Sequence, residues 1–96
     1  MHELIWTEDA LQDLDDIGAF IAQDNPRAAA NLVTRIARSI ASLATHPQLG
    51  RIGRDPSTRE LVVPGTAYIA AYRLRQRIEV LAIFHAARRW PDRFEG

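Results

Sequence analysis

Apolar residues recur at helical spacing through the first half of the chain and at strand spacing through the second. Residues 2–6 read as a short strand, with Leu4 and Trp6 on one face and Ile5 on the other. Thr7 is a good helix N-cap, and Glu8 and Asp9 suit the positive end of a helix dipole. A first helix is predicted over 8–23, with Leu11, Leu14, Ile17 and Ile21 as its buried stripe and Asp9, Asp13 and Asp16 on the far side. Asn25-Pro26 is a cap followed by a proline at the first helical position. It restarts a helix predicted over 26–44, with Ala29, Leu32, Val33, Ile36, Ile40 and Leu43 facing inward. Residues 45–58, THPQLGRIGRDPST, read as a loop. Strands are predicted over 59–63, 67–74 and 78–84, separated by a Pro64-Gly65 turn and a tight turn at Arg75-Gln76.

The order is β-α-α-β-β-β, and the fold class is α+β. An N-terminal helical hairpin packs on one face of a mainly antiparallel sheet, in two layers. At 96 residues the chain predicts a single domain, 1–96. With 47% apolar residues it has enough for one core. There are no cysteines, which removes disulfide and thiolate-metal chemistry and fits a reducing cytoplasm. No basic-then-apolar leader opens the chain, and no apolar run approaches the roughly 20 residues of a membrane span. The expected localisation is therefore cytoplasmic.

Charge changes this picture. The formal net charge is zero, yet residues 1–24 hold seven acids and no arginine, while residues 25–96 hold twelve arginines and five acids. Lysine is absent. A chain divided in this way is built to meet a charged partner.

Few residues could carry chemistry. His2, His46 and His85 lie too far apart in sequence for a ligand pair, so neither a metal nor another cofactor is expected. No Gly-rich phosphate loop and no nucleophile elbow are present. What remains is cationic. Arg59 opens the first strand of the meander and Arg73 lies near the end of the second. His85 follows the third strand and precedes Arg88, Arg89 and Trp90. Antiparallel topology puts Arg59 and Arg73 at one end of the sheet and His85 at the other, level with Ala67 and Tyr68. Two readings stay open. The arginines could hold a phosphate while His85 moves a proton, cleaving RNA through its 2′-hydroxyl without a metal. Alternatively, Arg59 and Arg73 pair with Glu60, Glu79 or the acids of the first helix, and His85 caps the sheet.

Several segments, taken in order, carry a resemblance. They are Trp6 followed by Ala10, Leu14 and Ile17; His46-Pro47 with Gly50; Arg59-Glu60-Leu61; Tyr72-Arg73; and Ile78-Glu79-Val80-Leu81 leading to His85, Arg88 and Arg89. On these the chain resembles the ParE/RelE superfamily of bacterial type II toxin–antitoxin toxins, whose fold matches the one read above. The resemblance implies a growth-inhibiting toxin neutralised by a cognate antitoxin with an acidic segment. In the ParE-like branch the toxin poisons DNA gyrase. In the RelE-like branch it cuts messenger RNA on the ribosome. By resemblance, Arg73 sits where RelE-like nucleases place a phosphate-binding arginine, Arg59 where a second basic residue assists, and His85 is the candidate acid–base group. The same resemblance gives Arg73, Arg88, Arg89 and Trp90 as target- or antitoxin-binding residues. Two departures favour the ParE-like branch: the chain has no lysine for a ribosome-binding surface, and His85 directly follows the last strand. An inactive binding module is the third reading.

Overall fold

The computed structural model describes residues 1–87. Its elements are β1 (Leu4–Trp6), α1 (Glu8–Ala22), α2 (Pro26–Ala41), a 3-10 turn (Ser42–Ala44), β2 (Arg51–Ile52), β3 (Arg59–Val62), β4 (Tyr68–Leu74) and β5 (Ile78–His85). Both helices start on the caps that the sequence offers. Thr7 Oγ1 accepts from Ala10 N at 3.1 Å and Asn25 Oδ1 from Ala28 N at 3.0 Å. Helix α2 ends three residues before the predicted 44. There Ser42 Oγ donates back to Ser39 O at 2.6 Å, and the chain tightens into the 3-10 turn.

The sheet order is β1-β5-β4-β3-β2. Strand β1 runs parallel to β5, and the other three pairings are antiparallel. The predicted loop over 45–58 is corrected by β2, whose two residues pair with Glu60 and Arg59. So short a strand has no periodicity to betray it; it is held by tertiary pairing. The Pro64-Gly65 turn forms as predicted, with Gly65 at φ 75° and Thr66 N donating to Val63 O.

One face of the sheet meets the helices. Leu61, Val63, Ala70, Tyr72, Ile78, Val80 and Ile83 enclose a core with Ala10, Ile36, Ile40 and Leu43. Leu81 is an extra residue in β5: Ala71 pairs with Ala82 and Tyr72 with Val80. This bulge keeps Val80 and Ile83 on the same face although three positions separate them. The opposite, open face carries Ala71 and Ala82, packed with Phe84.

Two expectations for α1 are corrected. Leu11, assigned to the buried stripe, is 52% exposed; the fully buried contact comes from Ala10 instead. Asp13, assigned to the solvent side, reaches the sheet, where its Oδ2 accepts from Ile83 N at 3.0 Å. Strand β1 stops at the Trp6–Val80 pair, and among the described residues the outer edge of β5 has no strand neighbour beyond it. Thr7 takes over that edge. Its N–H and its hydroxyl both donate to Val80 O, at 3.0 and 2.9 Å, and Asp13 then covers Ile83.

Thr7 therefore serves α1 and β5 with one side chain. Thr7→Ala is expected to lower the unfolding free energy by about 1–3 kcal/mol, from the lost cap and the lost hydroxyl hydrogen bond to Val80 O. Thr7→Ser should retain most of it. Denaturant titration checks this through the midpoint, with the slope unchanged; equal midpoints for Thr7→Ala and wild type would contradict it.

Candidate functional site

Strand register decides which of the candidate residues can meet. Arg59 pairs with Tyr72, and both face the helix side. Its guanidinium reaches no carboxylate among the described residues. Nη1 donates to Gly50 O at 2.7 Å and to Gln48 O at 3.5 Å, fastening the loop that follows the 3-10 turn. Tyr72 grips the same loop from below. Its hydroxyl donates to Pro47 O at 2.7 Å and accepts from Gly50 N at 2.9 Å. Only glycine fits at position 50, because a Cβ there would lie 2.6 Å from Tyr72 Cε1 and 2.9 Å from Glu60 O. Burial raises the Tyr72 hydroxyl above the ordinary tyrosine value of 10.0, against the smaller opposing effects of the Gly50 amide and Arg59.

Arg73 is the next residue along β4 and points to the open face. It pairs across the strands with Glu79, and its Nη1 lies 3.9 Å from Glu79 Oε1. Its Nε is buried and has no hydrogen-bond partner among the described residues. The Ser57 amide and hydroxyl, which donate to Asp55 at 2.9 and 2.8 Å, hold its carboxyl below the usual range, with a smaller contribution from the charge of Arg73. The neighbouring Glu60 is buried and accepts from Arg51 Nη2 at 3.2 Å and Arg54 N at 3.3 Å. This end of the open face is thus a net of arginines and carboxylates. At 3.9 Å the Glu79 contact is longer than a hydrogen bond, so the partly exposed Arg73 guanidinium can still pair with an anion.

His85 lies elsewhere. It pairs with Tyr68, and their rings meet edge-on with centroids 5.5 Å apart. Its Nδ1 accepts from Ala87 N at 3.1 Å. Tyr68 and Tyr72 are four residues apart on β4, so His85 is about 13 Å along the sheet from Arg59. His85 opens instead onto a cleft of about 270 Å³ between α1 and β5, shared with Asp13 and Asp16. The structure therefore brings Arg59 and Arg73 to one end of the sheet but to opposite faces, and leaves His85 at the other end. Arg88, Arg89 and Trp90 lie outside the described residues.

The sequence did not mark Tyr72 as the anchor of the loop, nor Asp55 as the acceptor for Ser57. The Asp-Pro-Ser run is a turn signal that could have placed Asp55's carboxylate over its own Ser57 amide. The meeting of Asp13 and Asp16 with His85 had no local signal at all. Among the described residues, no group of three or more His, Cys, Asp or Glu side chains is placed to hold a metal. No helix among them is long and apolar enough to cross a membrane.

A two-helix layer on a five-stranded mixed sheet defines a small two-layer α+β protein. The comparisons with known proteins are specific. Residues 4–90 match the family of the ParE toxin of the type II toxin–antitoxin system parDE, and the chain belongs to that family. It is 48% identical to Y4kP of Sinorhizobium fredii, named as a candidate toxin, over 91% of each chain. It is 36% identical to the toxin RelE2 of Caulobacter vibrioides, over 92% of this chain and 99% of that one. In structure it is similar to a chain of the chromosomal ParDE toxin–antitoxin system from P. aeruginosa. The TM-score is 0.79 at 27% identity, over 88% of this chain and 96% of the other.

Tyr72 supplies a pH test. Its raised value means that the folded state keeps a proton that the unfolded chain releases near pH 10. Its contribution to stability is therefore complete below that pH and is lost as pH rises through the folded value. Tyr72→Phe should cost about 1–3 kcal/mol at neutral pH, because Gly50 N and Pro47 O lose their partner. It should also flatten the alkaline fall in stability. Denaturant midpoints measured from neutral pH to above 10 check both; an alkaline limb as steep as wild type in the variant would contradict the assignment.

Proposed function

We propose that this ParE-family toxin acts in the bacterial cytoplasm by poisoning DNA gyrase, and that a cognate antitoxin with an acidic segment neutralises it by forming a hetero-oligomer. The observation that carries the gyrase reading over mRNA cleavage is the separation of Arg59, Arg73 and His85. A nuclease centre needs its phosphate-binding and proton-moving groups within hydrogen-bond reach of one phosphodiester. Here the basic groups point to opposite faces, and the imidazole is at the far end of the sheet. Arg59 is also committed to two loop carbonyls. Such an arrangement suits recognition of protein surfaces better than acid–base chemistry.

Arg73 is assigned to contact with the antitoxin or the target, together with Arg88, Arg89 and Trp90 of the following segment. Its contact with Glu79 is long, at 3.9 Å, which supports that role, because an incoming carboxylate can pair with the partly exposed guanidinium at hydrogen-bond range. The acidic antitoxin segment is the complement of the +7 formal charge that residues 25–96 carry.

A second reading, ribosome-dependent cleavage of messenger RNA, draws support from the RelE2 name of the Caulobacter relative. Expression of the chain without an antitoxin separates the two. Gyrase poisoning predicts filamentous cells with an induced DNA-damage response, and growth arrest that persists in His85→Ala. Nuclease action predicts translation arrest without filamentation, relieved by either His85→Ala or Arg73→Ala. Unimpaired growth on expression of the wild-type chain would leave a binding module without toxicity. For neutralisation, Arg73→Ala is expected to weaken antitoxin binding at least roughly tenfold; undiminished affinity would remove charge as the basis of the complex.

A further inference from the structure

The cleft between α1 and β5 lies away from the Arg73 end of the sheet, and its lining has a different chemistry. Two carboxylates of α1, Asp13 and Asp16, stand on one side; the Tyr68 and His85 rings of the sheet stand on the other, with Phe20 of α1 at the rim. Phe20 is 65% exposed, a large aromatic ring left at the surface beside two acids. Asp13 already accepts from Ile83 N, which fixes its carboxylate at the cleft wall. Asp16 Oδ1 accepts from Gln12 Nε2 at 2.8 Å and is oriented from the next turn of the helix. The Tyr68 and His85 rings brace each other edge-on.

Carboxylates facing aromatic rings recognise a cation. The rings favour a flat, weakly hydrated guanidinium over a compact ammonium, because it stacks while it pairs with carboxylate. The volume, about 270 Å³, falls below the roughly 300–1,000 Å³ typical of small-molecule sites and suits one long side chain. Charge complementarity points the same way: residues 1–24 hold seven acids and no arginine or lysine, so α1 presents only negative charge around the cleft.

We infer that this cleft receives an arginine side chain of the antitoxin. The inference rests on the toxin–antitoxin reading for the identity of the partner, but not for the chemistry of the cleft. The partner then carries two features of opposite sign: an acidic segment for the Arg73 end, and an arginine that enters the α1–β5 cleft. The arginine serves as an anchor that fixes the register of the complex.

Argininamide is the direct probe, with citrulline amide as its neutral isostere. Titrated into the purified full chain, argininamide is expected to shift the Tyr68 and His85 ring resonances with a Kd on the order of 1–10 mM, and citrulline amide is not. Asp16→Asn should weaken argininamide roughly tenfold and Phe20→Ala about threefold. Both residues are at the surface, and an unchanged circular dichroism melt would show that each variant is folded. Equal shifts with the two amides, no shifts at these rings, or full binding by folded Asp16→Asn would overturn the inference. Light scattering provides the other arm: a wild-type chain that self-associates through the cleft, and a monomeric Asp16→Asn, would assign it to a second copy and overturn the inference as well. The binding arm is read on the isolated chain. Its failure leaves growth arrest by the wild type untouched, and a non-toxic wild type would leave the argininamide result standing.

Discussion

The outer edge of β5 is the constraint on which the rest of the molecule depends. This strand lies second in the sheet, and its backbone needs partners on both sides along its whole length. β4 supplies one side throughout. The other side is supplied in series by a single stretch of chain: Glu3 O accepts from Ile78 N, β1 pairs up to Val80, Thr7 covers the Val80 carbonyl, and Asp13 covers the Ile83 amide. The start of α1 is thereby sewn to the sheet by hydrogen bonds as well as by apolar packing. An edge that would otherwise be open to strand pairing is closed by a carboxylate, one of the devices that protect sheet edges.

That seam also explains how the chemistry is distributed. Because α1 is tied along β5, its acids crowd the side of the sheet where His85 ends up. The arginines of β3 and β4 gather at the opposite end, with the 51–58 loop. The bulge at Leu81 keeps the helix-facing register across both ends, so His85 turns toward α1 and not toward Arg73. The acid-rich first quarter of the sequence thus lies along β5 in the fold, beside His85 and away from Arg59 and Arg73.

Most of the fold was legible in the sequence because its elements announce themselves locally. Thr7 and Asn25-Pro26 cap the helices, Pro64-Gly65 turns the chain, and the meander alternates. The illegible parts are those set by distant partners. β2 exists because Glu60 and Arg59 offer it a register, and two residues cannot show a period. Leu11 is apolar and at helical spacing, yet the fully buried contact of α1 falls to Ala10. Asp13 looked like a solvated acid because nothing near it in sequence tells that an unpaired amide lies across from it. The candidate site was legible as a set of residues but not as a geometry. Arg59 and Arg73 were foreseeable at one end of the sheet; that a carbonyl-rich loop would claim the Arg59 guanidinium was not.

The central functional claim is that this toxin-family chain acts on gyrase through a protein-recognition surface and performs no RNA chemistry. Purified chain added to DNA gyrase, relaxed plasmid and ATP tests it most directly. The account predicts that supercoiling stops and that plasmid accumulates in gyrase-linked cleaved form, while messenger RNA on translating ribosomes stays intact in a parallel reaction. Undisturbed supercoiling together with cut messenger RNA would contradict it.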